Sequence, residues 1–151
     1  MNTKSIADAI ALTFSGTTAT SGGITEALVL CTATLPNSLA KGPALLVFHP
    51  SGELGLTGVS QRRDDTLTFP VRLLRDPLNV PQRSDFLYAW YDAIRDKPEA
   101  NMDLDLAYVA WASVTAASVE LDGFTYAGVL FDMVELTVTV RLDEVIATVA
   151  V

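Results

Sequence analysis

Few side chains in this chain have the type and spacing that catalysis or metal binding requires. The only histidine, His49, is followed by Pro50 and Ser51. A nucleophilic serine needs a base within reach and a sharp strand-to-helix elbow, and no G-x-S-x-G surrounds Ser51. At the end of an apolar run, His49 reads as a structural residue. Asp103 and Asp105 form a D-x-D pair, and carboxylates two apart on a strand point the same way, as a shared divalent cation would need. The other ligands and the glycine of a calcium loop are missing, so this pair, like Asp64-Asp65, reads as solvated. Gly52, Gly55 and Gly58 precede no helix carrying Lys-Ser/Thr, which argues against a phosphate cradle. Arg62 and Arg63 are followed at once by Asp64 and Asp65, which cancel the local field. Arg62, Arg63 and Asp64 are therefore expected in a solvated loop tip or, alternatively, in a polar docking loop at a subunit or partner interface, rather than an anion site. No catalytic, metal or cofactor residue is expected, and the chain is read as a non-enzyme.

Composition narrows the class further. The chain has 151 residues, which fits one domain spanning 1–151; a chain of this size buries roughly 70% of its unfolded surface. Half of the residues are hydrophobic, rich for a lone soluble monomer, which predicts that some apolar surface is buried between subunits. The net charge is −8, and residues 101–151 hold eight acids against one base, Arg141. That balance excludes a basic nucleic-acid footprint. The single cysteine, Cys31, lies in the apolar run LVLCTA and is expected to be a buried small hydrophobe. Asp8 sits where the apolar core of a secretory leader would begin, and no uncharged stretch reaches the ~20 residues of a membrane helix. The expected setting is reducing and cytoplasm-like, without a membrane.

The elements that must position these residues follow from hydrophobic period. Ser5–Phe14 places Ile6, Ala9, Ile10 and Thr13 on one helical face, with Leu12 and Phe14 to its sides, and Ser5 caps it. Ser15–Gly23 is a break. Residues 24–34 are compatible with strand or helix, with strand favoured. Ala44–His49 is a continuous apolar run, as in a buried central strand. Thr66–Leu74 alternates, but Pro70 inside it predicts an edge strand or a bulge. Ser84–Arg95 is an amphipathic helix with Leu87, Trp90, Tyr91 and Ile94 at helical spacing. Phe86 and Tyr88 lie off that face and are candidate interface anchors. An apolar run, Ala107–Leu121, and the strand-like stretch from Asp122 to Arg141, entered through Asp122-Gly123, predict a long hairpin turning at that pair. The fold expected is α+β, an antiparallel or mixed sheet of about five strands with two helices on one face.

In order, these stretches resemble the tail terminator proteins of long-tailed bacteriophages. The likeness runs through the helix SIADAI, the strand GPALLVFHPSGE at 42–53, the segment RRDDTLTFPVRLL, a helix, and a final hairpin containing YAGVLFDMVELTVTV. The Gly/Ser/Thr content of Ser15–Gly23 and the uncharged tail Val145–Val151 depart from the pattern.

The resemblance implies a structural virion protein of the neck, made in the host cytoplasm and assembled as a homo-hexameric ring. Such a ring caps the head-proximal end of the tail tube, stops its polymerisation and joins it to the head-completion or stopper proteins. DNA passes through without specific binding. A closed ring needs two unlike adhesive flanks per subunit. Val145, Val149 and Val151 are candidates for an arm over 145–151 that adds to a neighbour's sheet. Glu120, Asp122, Glu135 and Asp143, on or beside the polar face of the hairpin, are candidate lumen-facing acids. The alternatives are another neck or tail-tube component, a host-directed binding module, or a small enzyme dependent on His49 or on a metal at Asp103 and Asp105.

Overall fold

The computed structural model describes residues 3–39, 42–53, 62–63, 66–76, 83–97, 104, 106, 109–142 and 144–145. Helix α1, Thr3–Phe14, leads into a small hairpin of β1, Thr18–Ser21, and β2, Ile24–Ala27. Then come β3, Leu30–Thr32; β4, Ala44–Val47; β5, Ser51–Glu53; β6, Arg62–Arg63; and β7, Thr66–Arg75. Helix α2, Arg83–Asp96, precedes β8, Val109–Tyr126, β9, Val129–Leu142, and the short β10, Glu144–Val145. The main sheet has six strands in the order β3-β4-β7-β9-β8, with β5 also on β7. Among the described residues only β3 and β4 pair in parallel. The architecture is the expected α+β mixed sheet with two helices and a long C-terminal hairpin.

The alternation in β9 does what period 2 demands. Val134, Leu136, Val138, Val140 and Leu142 are each fully buried, and the first four align across the sheet with Leu73, Val71, Phe69 and Leu67 of β7. Both helices cover this face: Ile6, Ile10 and Phe14 from α1 and Leu87, Trp90 and Ile94 from α2 join the same core. On α1 the buried residues are Ile6, Ala7, Ile10, Ala11 and Phe14. The inward face is thus rotated from the one read in the sequence, and Leu12 is left 74% exposed. The opposite sheet face is apolar at one end only, where Leu39, Leu46, Leu74, Phe131 and Met133 cluster.

Three expectations for the strands before α2 need correction. The segment 18–21 is not part of a loop but the first arm of a hairpin, closed by Gly22 and Gly23, both at positive φ. Residues 24–34 form two short strands rather than one, and no helix. Third, β7 is neither an edge nor bulged: β4 and β5 flank it on one side, and β9 pairs with it without a break from Thr66 to Arg75 on the other. Pro70 is tolerated because of which side its nitrogen faces. Its carbonyl accepts from Phe48 N at 2.8 Å. In an antiparallel strand a residue's N and O point the same way. The missing donor therefore faces the gap where β4 has ended and β5 has not begun.

The long hairpin does not turn at Asp122-Gly123. Its two-residue turn is Ala127-Gly128, with φ 49° and 83°, between the paired residues Tyr126 and Val129. A turn of this kind needs two successive positive φ values, and at 122–123 only Asp122 has one, at 51°. There the register shifts between Glu120 and Phe124, so the Asp-Gly pair forms a bulge. The fully buried Asp132 accepts the Asp122 N–H at 2.8 Å and holds the bulge in place. Because an alanine at positive φ is strained relative to glycine, Ala127→Gly is expected to raise stability by about 0.5–1 kcal/mol. A denaturant titration showing a higher midpoint at unchanged slope checks this.

Candidate assembly surface

Helix α2 places two of the candidate interface residues, Phe86 and Tyr88. Phe86 is not an exposed anchor: it is buried, with the Arg75 guanidinium 4.7 Å over its ring. Tyr88, two residues on and rotated outward, is 62% exposed. It shares a groove of about 270 Å³ with Ser84, Leu87, Val119 and Leu121, between α2 and the outer strand β8. Leu121, Val129 and Leu130 are also exposed apolar residues of the hairpin. At the other edge of the sheet, exposed Val29 leads into β3, and Leu12 of α1 faces Cys31 and Thr32 across a shallow pocket. Burial raises the Cys31 thiol pKa, and its Sγ donates to Ala11 O at 3.1 Å, so it acts as a packed side chain.

The arginine loop and the C-terminal segment meet through the backbone. β10 pairs antiparallel with β6, Val145 opposite Arg62 and Glu144 opposite Arg63. At least the start of the proposed arm therefore pairs within its own chain. Asp64, Asp143, Val149 and Val151 lie outside the described residues, as do Asp103 and Asp105.

The acids of the hairpin do not form one polar face. Glu120 and Asp122 are exposed on the outer strand. Glu135 is half-buried and accepts from Arg72 Nε at 2.7 Å, so its charge is balanced. Arg72 is also held 4.5 Å over Phe48 and 4.8 Å over Phe124. Tyr126 OH donates to Pro36 O, which ties the far end of the hairpin to the loop before β4. Asp132, on the same strand as Glu135, is fully buried. Away from Arg72 and Arg141, the open face presents Thr66, Thr68, Thr137, Thr139, Ser113 and Thr115. It is a hydroxyl-rich, largely uncharged surface. The reason is that β9 shares it with β7 and β8, whose outward positions carry few acids.

A feature with no motif holds the β1–β2 hairpin against α2. Arg75 is 1% exposed, and its Nε and Nη2 donate to the two carboxylate oxygens of Glu26 at 3.0 and 2.9 Å. Trp90 Nε1 donates to the same carboxylate at 2.9 Å. Burial pushes the Glu26 pKa up, but the hydrogen bonds from Arg75 and Trp90 and the Arg75 charge outweigh it, so the carboxyl sits below its ordinary value. Arg75 Nη1 is buried without a hydrogen-bond partner.

His49 is exposed at the rim of a pocket of about 410 Å³ lined by residues including Lys4, Ala7, Leu35 and Phe48. Lys4 Nζ is occupied by Asp8 and Thr34, each at 2.9 Å. Among the described residues no group of three or more His, Cys, Asp or Glu is placed to hold a metal ion. No described helix is long and apolar enough to cross a membrane. No protein-family model and no curated protein matches the chain.

Proposed function

We propose that this chain is a structural virion protein, a ring-forming tail terminator. It caps the head-proximal end of a phage tail tube, stops tube growth and joins it to the neck, with DNA passing through the ring. The observation that carries the reading is exposed apolar residues in two separate places, beside the edge strand β3 and at the tip of the β8–β9 hairpin. One is Leu12 with Val29 beside β3; the other is Val129 with Leu130 at the hairpin turn, 74%, 58%, 44% and 44% exposed. Large apolar side chains grouped on a surface mark contacts, and two unlike patches on one subunit make head-to-tail contacts that close into a ring. The hydroxyl-rich face and the net negative charge supply a lining that does not grip DNA.

Native mass measurement on the purified chain and imaging of the virion neck test this. The expected result is a closed ring in solution and a single ring of this protein at the end of the tube. Leu12→Asp and Leu130→Asp are each expected to give monomers. Mixing the two variants restores one intact pair of flanks and is expected to yield dimers and nothing larger. A strictly monomeric wild-type chain absent from virions would end the proposal, and many stacked rings would make it a tube subunit instead.

A further inference from the structure

The outer edge of β8 differs from the rest of the sheet. Among the described residues β8 pairs only with β9. Its register is interrupted between Val114 and Ala116 and again between Glu120 and Phe124, but runs unbroken from Ala116 to Glu120. Bulges at both ends of a free stretch limit what can pair there to a short segment and discourage open-ended sheet growth. Along this stretch the core is incompletely covered. Ala117 and Val119 are only partly buried against it, and the groove beside them is floored by Leu87 and walled by Tyr88 and Leu121. Exposed acids adjoin this stretch: Glu120, opposite Met133, points to the sheet face away from the groove, and Asp122 on the strand and Asp85 on the first turn of α2 are exposed too.

We propose that this edge binds an extended segment of a partner protein by strand addition, the segment alternating apolar and basic residues. Backbone hydrogen bonds to Ala116–Glu120 supply the affinity. The segment's apolar side chains enter the Tyr88–Leu121 groove and complete the core, and its basic side chains, alternating onto the opposite sheet face, meet Glu120. The charge argues for a foreign partner over a second copy. Nowhere in this chain do two bases flank a single apolar residue, which is the pattern such a segment needs. The proposal stands whether or not the chain forms a ring.

The test titrates the isotope-labelled full chain with a capped Lys-Val-Lys-Val-Lys peptide and follows its amide resonances. Saturable shifts at residues 116–121, with slowed hydrogen exchange there, are expected. Leu121→Asp and Glu120→Lys, both at exposed positions that leave the core intact, are expected to weaken binding by about tenfold or more. A fully N-methylated peptide and a Glu-Val-Glu-Val-Glu peptide are expected to give no shifts at this edge. The proposal fails if the lysine peptide does not saturate or if either control peptide shifts the same resonances. It also fails if Leu121→Asp changes the mass of the chain's own assembly, because the groove then belongs to a second copy.

Discussion

Glu26→Ala is expected to lower folding stability by about 3–5 kcal/mol, since it leaves the Arg75 guanidinium charged, buried and without its carboxylate. Arg75 is 1% exposed and gives two hydrogen bonds to Glu26. It cannot turn to water without withdrawing from the Phe86 ring 4.7 Å away. The same substitution strips the Trp90 indole N–H of its acceptor. A loss of this size is a large part of the ~5–15 kcal/mol that holds a domain folded. The double variant Glu26→Met with Arg75→Met is expected to recover part of it. Two apolar side chains need no pairing, and only the Trp90 N–H, worth about 1–3 kcal/mol when buried alone, is then unsatisfied. Urea unfolding of the three proteins separates these outcomes, and a single-variant loss under about 1 kcal/mol would mean that water reaches Arg75.

The same pair sets a pH dependence. The folded-state pKa of Glu26 lies below its ordinary value of 4.5. The ionised carboxylate is therefore favoured by folding. Its contribution is complete above the ordinary value and is lost as the pH falls through the lowered one. The stability gap between wild type and Glu26→Gln is accordingly expected to be constant near neutrality and to narrow only on the acid side. A gap that narrowed with rising pH would contradict the sign.

Phe14→Ala is the second large effect, with about 3–5 kcal/mol lost to the cavity and the missing transfer free energy. Phe14 is fully buried at the end of α1, where it joins Ile6, Ile10 and the face of the sheet covered by both helices. Leu12, two residues earlier and equally apolar, is 74% exposed. Leu12→Ala is expected to change stability by no more than about 0.5 kcal/mol. Thermal or denaturant midpoints for the two variants give the contrast directly. Comparable losses at both positions would mean that α1 sits in a different rotation from the one described.

The contrast between Phe14 and Leu12 also marks where local reading stops. A twelve-residue helix is legible from its period, but two apolar residues flanking its stripe look alike until something packs on one of them. Pro70 is a similar case. Its inability to donate is a local property, whereas the harmlessness of that defect depends on where β4 ends relative to β7. At Asp122-Gly123 the turn chemistry is real and yields a positive φ, yet the register with β9 makes it a bulge and passes the turn to Ala127-Gly128. Phe86 looked like a surface aromatic because the charged partner that buries it, Arg75, lies on another element. Arg75 carried one readable signal: it is in phase with Phe69, Val71 and Leu73, on the buried side of its strand.

The period-2 pattern of Val134–Leu142, the two amphipathic helices and the grouping of strands were determined by the sequence alone. Each is a local rule in which side-chain direction follows from backbone geometry, so α+β with a long C-terminal hairpin was legible from residue order. Which carboxylates remain as surface charge was not. Asp132, Glu135 and Glu26 were removed from the surface by a bulge, by Arg72 and by Arg75, through contacts 10, 63 and 49 residues apart in the chain. Only tertiary structure decides such pairings, because the burial that makes a charge need a partner exists only after the sheet has formed.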